Sequence, residues 1–138
     1  STVDEMISNK FGRIINITSA AVKSPISILG LSNGARMGLT GFCAGISRDT
    51  VRDGVTINGL LPGPFETDRL LGNLKVRAVA AGLSEEDMYR QAADENPAGR
   101  FGNSQEFGQT CAFLCSMHAG FINGQNILMD GGAFRSSL

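Results

Sequence analysis

The sequence predicts an α/β protein built on a short parallel sheet, about three strands with flanking helices, and three observations carry that expectation. Two β-branched and aliphatic runs, Gly12 to Thr18 (GRIINIT) and Gly54 to Leu61 (GVTINGLL), show no regular polar alternation and read as strands covered on both faces. Between them Ala35, Met37, Leu39, Phe42, Cys43 and Ile46 recur at the helical period. Strand, helix and strand form a parallel unit, and its right-handed crossover brings both strand ends to one edge of the sheet.

The chain opens in what reads as the tail of a helix, with Val3, Met6 and Ile7 on one side and Asn9 and Lys10 ending it, which leads us to expect a segment upstream. The first strand stops in Asn16, Thr18 and Ser19, polar groups at the carboxyl end where open α/β sheets place their ligands. A serine there also satisfies a turn. Ser32 and Asn33 then open the helix, and the Ser32 hydroxyl is suited either to capping free amides or to bonding a ligand. Arg36, one turn further on, is either a ligand-facing cation or a solvated charge.

After the second strand comes Pro62 to Asp68, PGPFETD. Its prolines restrict the backbone, Gly63 permits a close approach, and Thr67 caps the next helix. Asp68 to Ala81 and Glu85 to Asp94 read as two helices split by Gly82 and Leu83, the second opened by the pattern Ser84 to Asp87. This excursion, residues 64–97, is long for a plain connection and stands above the strand ends, as a lid over a substrate would. Tyr89, the only tyrosine, lies in it.

Asn103 to Glu106 opens another helix through Phe107, Cys111, Phe113, Leu114 and Met117, and Gly124 to Asp130 makes a last strand that ends in Gly131 and Gly132. Cys111, Cys115 and His118 fall on one helical face by spacing. Three such groups on one helix, set among Phe113, Leu114 and Met117 with no fourth in view, read as packing residues and not as a metal site.

The 138 residues have room for one domain, residues 1–138. A net charge of -1 supplies no basic footprint for nucleic acid, and no cationic cluster marks a membrane surface. The absence of a long apolar run or a signal-like start makes a cytoplasmic setting the expectation, and the 3 cysteines fit reduced, buried thiols.

At this point the residues resemble a family. The run GRIINITS, the thirteen steps from Ser19 to Ser32, the four to Arg36 with MGLTGF after it, the PGPFETD loop, NPAGRFG and the closing strand with its glycine pair all resemble the short-chain dehydrogenase/reductases, close to the 3-oxoacyl-(acyl-carrier-protein) reductase type. The resemblance implies the carboxyl-terminal part of a Rossmann-like doubly wound sheet. No glycine-rich strand-to-helix turn of the kind that binds a pyrophosphate occurs in the sequence, so only the second half of such an enzyme is matched.

The resemblance also implies roles. Ser19 stands at the position of the family's serine, Ser32 at that of its tyrosine and Arg36 at that of its lysine. NADP or NAD is the implied cofactor of the intact protein, with Asn16, Pro62, Gly63, Phe65 and Thr67 as candidate contacts and the last two meeting the nicotinamide carboxamide. The substrate would be a small carbonyl or hydroxyl compound. A serine hydroxyl is a far weaker acid than a phenol, and arginine does not give up a proton, so the altered pair is expected to fail as a direct replacement. A scaffold that binds or assembles without catalysis is the other expectation. The first strand, left without an inner neighbour, and the apolar side of the helix from Ser32 predict a homo-oligomer.

Overall fold

The structure, a computed structural model, describes residues 2–136. Its centre is a parallel sheet in the order β1-β2-β3, formed by Gly12–Ile17, Val55–Pro62 and Asn126–Met129. The helices are α1 (Thr2–Ser8), α2 (Gly30–Thr50), α3 (Asp68–Ala81), α4 (Glu85–Asp94) and α5 (Ser104–Cys115). The expected fold class is therefore the one observed.

The strands differ in burial because of their place in the sheet. Val55 to Leu61 is buried at every residue, since β2 has a strand on each side and helices on both faces. β1 was expected to be covered in the same way and is not: it forms an edge, most of it is half-buried, and Ile17 is 59% exposed. Gly54 holds φ +78, and a Cβ there would stand 2.2 Å from the Lys10 carbonyl, so the turn into β2 requires a glycine.

Successive residues of a strand face opposite sides of the sheet, and β1 shows which helix lies where. Ile15 packs into the cluster of Leu60, Leu114 and Ala119 beneath α5, whereas the next residue, Asn16, donates from Nδ2 to Cys43 Sγ of α2 at 3.2 Å. Buried Asn58 ties β2 to the approach of β3, donating to the Ile122 carbonyl (2.8 Å) and accepting from the Gln125 amide (3.0 Å). The helices α3 and α4 match their expected boundaries and pack on a separate small core of Leu74, Ala78, Met88, Ala92, Ala93 and Phe101.

Two local expectations are corrected. Helix α2 begins at Gly30, not at Ser32, because a 3-10 turn at Ser27–Leu29 runs directly into it and Leu29 stands at the cap without a side-chain bond. Ser32 therefore lies inside the first turn and caps nothing. Likewise α5 stops at Cys115, where Ser116 turns extended and opens a 3-10 turn by accepting the His118 amide at 3.2 Å. His118 thus leaves the helix and does not share its face with Cys111 and Cys115.

Candidate functional site

The parallel register sets the ends of β1 and β2 side by side, with Ile17 opposite Leu60 and the Thr18 amide bonded to the Leu60 carbonyl at 3.2 Å. Two loops leave this edge together. One is the turn from Ser19, whose extended backbone and Oγ cap the 3-10 turn Ala20–Val22 by accepting the Ala21 amide at 3.1 Å. That bond uses a lone pair and leaves the hydroxyl proton free to donate.

The other is the PGPFETD loop. Pro62 is the last residue of β2 and pairs in register with Met129, while the Gly63 amide donates to the Met129 carbonyl at 2.8 Å. A Cβ on Gly63 would lie 2.6 Å from Asp130 Cβ, so the loop passes β3 at a distance that only glycine allows. Phe65 forms a parallel bridge with Gly102, made by the Gly102 amide on the Pro64 carbonyl (3.1 Å) and the Glu66 amide on the Gly102 carbonyl (2.8 Å). In such a bridge the amide and carbonyl of Phe65 itself point away from Gly102. The Phe65 ring is held edge-on against Phe107, with centroids 5.2 Å apart.

Thr67 caps α3 as expected, accepting the Leu70 amide at 3.2 Å, and its hydroxyl proton stays available two residues on from the outward-facing backbone of Phe65. These groups fit a primary carboxamide, which needs one acceptor and one or two donors on neighbouring backbone. The loop divides two open cavities. One, about 470 Å³, is bounded by Ala20, Ser24, Gly63, Pro64, Asp130 and Phe134, and the other, about 290 Å³, by Pro64, Phe65, Asn96, Arg100 and Gly102 among others.

Of the candidate residues Gly63 lines the first cavity and Phe65 the second, while Ser19, Pro62 and Thr67 line neither. Ser32 and Arg36, both half-buried on α2, bond one another, with Arg36 Nη1 donating to Ser32 Oγ, and neither lines either cavity. Asn16 lines a void of about 10 Å³ with Thr18, Leu39, Thr40 and Cys43, room for about one water. Its amide is turned under the sheet edge towards α2.

Tyr89 does not supply a free phenol. Its hydroxyl donates to Glu66 Oε2 at 2.6 Å, and that bond, with desolvation and the carboxylate's charge, raises the phenol above its ordinary pKa. A proton donor needs the opposite shift. Among the described residues no group of three or more His, Cys, Asp or Glu side chains is arranged to hold a metal ion, and no helix is long and apolar enough to cross a membrane.

Sequence reasoning assigned no role to Asp130, Phe134 and Arg135, which line the larger cavity. The signal within reach was the glycine pair after β3. Asp130 closes the turn there, its Oδ1 accepting the Gly132 amide (2.9 Å) and its Oδ2 the Phe134 amide (2.8 Å), and so folds the following segment back over the strand ends.

Comparison with known proteins bears on the family and the fold. The family model described as "Enoyl-(Acyl carrier protein) reductase" matches residues 1–133. The chain is 31% identical over 135 residues to the 3-oxoacyl-[acyl-carrier-protein] reductase of Aquifex aeolicus, covering 97% of this chain and 50% of that protein. It is 30% identical over 129 residues to the 2,3-dihydroxy-2,3-dihydro-p-cumate dehydrogenase of Pseudomonas putida, covering 94% and 47%. Among solved structures, YwfH, an NADPH-dependent reductase involved in bacilysin biosynthesis, superimposes with a TM-score of 0.84 at 31% identity, over 95% of this chain and 50% of that one. The chain thus spans about half the length of the curated relatives it matches. With nearly its whole length matched by the family model and its fold superimposing on that of such a reductase, the chain belongs to the short-chain dehydrogenase/reductase family.

Proposed function

We propose that this chain forms the nicotinamide-facing, carboxyl-terminal portion of an NAD(P)-dependent oxidoreductase acting on a small carbonyl or hydroxyl compound, similar to the 3-oxoacyl-(acyl-carrier-protein) reductases. The observation that carries the reading is the meeting of the Ser19 turn and the PGPFETD loop at one sheet edge, beside a cavity bounded by Ala20, Gly63, Pro64 and Asp130. The bound nicotinamide would supply the hydride. The outward amide and carbonyl of Phe65 and the hydroxyl of Thr67 would hold its carboxamide, and Pro62 and Gly63 would fix the loop's path. Ser19 would donate its free hydroxyl proton to the substrate oxygen. Residues 64–97 would act as the lid.

A second reading has its own observation. Ser32 and Arg36 stand, by the resemblance, at the positions of the family's tyrosine and lysine, and here Arg36 donates to the Ser32 hydroxyl. A serine hydroxyl is a far weaker acid than a phenol and a guanidinium does not give up its proton, which favours a scaffold that binds cofactor or partners without turnover. In both readings the chain works as a homo-oligomer, supported by the open edge of β1 and by Ile28, Leu31 and Phe42 on or next to α2, exposed at 87%, 95% and 65%.

Titration with NADPH and NADH, followed by nicotinamide fluorescence and melting temperature, tests the cofactor reading. A ligand bound only by the folded state raises its stability, by about 2.7 kcal/mol at a hundred times Kd. Saturable binding with a rise in Tm is expected. No binding up to millimolar cofactor would remove the nicotinamide from both readings, and binding without reduction of 3-oxoacyl substrates would select the second.

A further inference from the structure

The larger cavity has a wall that the cofactor reading does not use. Its lining is largely apolar, from Ala20, Pro64, Ala133 and Phe134, and the chain that closes it follows the turn at Asp130. Two charged residues line it. Asp130 has both carboxylate oxygens occupied by the backbone amides of Gly132 and Phe134. Arg135 is different: it is exposed, and among the described residues its guanidinium has neither an ion pair nor a hydrogen bond.

A second cation stands close by. Lys23, in the turn that begins at Ser19, lies with Nζ 5.9 Å from the centre of the Phe134 ring. The cavity therefore presents a small apolar floor, the turn that begins at Ser19 and gives Ala20 and Ser24 to the lining, and a guanidinium unpaired among the described residues, with the Lys23 ammonium against the adjoining Phe134 ring. An unpaired arginine offers a planar fork of donors that matches a carboxylate in two parallel bonds. The apolar floor and the volume of about 470 Å³ suit a compact acid better than a long chain.

We propose that Arg135, supported by Lys23, holds the carboxylate of a small oxo- or hydroxy-acid whose carbonyl or hydroxyl carbon lies beside Ser19. The proposal rests on the carbonyl-substrate reading above and narrows it to an anionic substrate class. The cofactor's own phosphates are the other anions that could reach this wall, and the test separates the two.

The experiment is an NMR titration of the chain and of Arg135→Ala and Arg135→Lys with acetoacetate, its neutral ethyl ester and NADPH, the acid and ester each with and without NADP. Arg135 is exposed, and unchanged melting temperatures will show that both variants fold. Acetoacetate affinity should fall about tenfold in Arg135→Ala and recover to within about threefold in Arg135→Lys, while ester and NADPH affinities stay within about twofold.

An equal loss for acid and ester overturns the proposal, since the charge would then not be recognised. A loss confined to NADPH overturns it in favour of a cofactor phosphate. Absence of saturable acetoacetate binding to the unaltered chain at roughly 10 mM also overturns it. Selective acetoacetate binding without any NADPH binding would leave the anion site standing and the cofactor reading fallen.

Discussion

Thr67 shows how one side chain serves the fold and leaves something over for a ligand. Its oxygen accepts the Leu70 amide and starts α3, while its proton is free, so a cap and a cofactor contact are compatible in the same hydroxyl. The two roles predict different responses to substitution. Thr67→Ala should cost about 1 kcal/mol of stability through loss of the cap and should also weaken nicotinamide binding. Thr67→Ser should retain most of both. Urea unfolding and cofactor titration of the two variants check this, and a Thr67→Ala protein that loses stability but binds cofactor as before would assign the hydroxyl to the helix alone. Ser32 is the contrasting residue. Its spacing from Ser19 was legible in the sequence, but its place was not: it lies inside the first turn of α2 and its hydroxyl accepts from Arg36 one turn later.

At the scale of the element, α5 is the best-defined start in the chain. Asn103 Oδ1 accepts the Glu106 amide at 2.9 Å and Glu106 Oε2 accepts the Asn103 amide at 3.0 Å, a reciprocal cap, while Arg100 forks onto the same carboxylate at 2.6 and 2.9 Å. The Arg100 bond first, and the Asn103 amide second, lower the Glu106 carboxyl from its ordinary 4.5 to about 2. A depressed folded-state pKa means that its stabilisation is fully present above 4.5 and is lost as pH falls towards 2. The unaltered protein should therefore lose stability over that window more steeply than Glu106→Gln, measured by denaturant unfolding at successive pH values. The pair is exposed, so the difference should shrink in high salt. Equal pH slopes for the two proteins would show that the cap carries no charge-dependent stability. Helix α4 is likewise anchored at a distance: the bond from Tyr89 to Glu66 pins it to the PGPFETD loop and couples the excursion to the candidate site.

On the scale of the whole molecule, the described residues leave substantial apolar surface uncovered. Ile17 on the edge strand, Leu31, Phe42 and Ile28 along or beside α2, and Phe121 beyond α5 are all more than half exposed. An open edge strand beside apolar side chains favours pairing with another chain. Light scattering at micromolar concentration should accordingly find a dimer or larger assembly, and weakening it with Leu31→Glu and Phe42→Glu should return smaller species. A stable, well-folded monomer would count against the homo-oligomer.

The sequence by itself determined the fold class, the three strands, the limits of α3 and α4, and the caps at Thr67, Ser84 and Asn103, because each rests on local periodicity or on a polar side chain within three residues of the amide it bonds. It also brought Ser19 and the PGPFETD loop to one edge, since parallel pairing leaves no other arrangement. Only the tertiary structure decided which strand is covered, where Asn16 turns, how Tyr89 is engaged, and that the segment after Asp130 returns to wall the cavity with Phe134 and Arg135. Those outcomes depend on contacts between residues distant in the chain. Such contacts leave no period in the sequence, and they are set by how the helices and loops pack across the sheet.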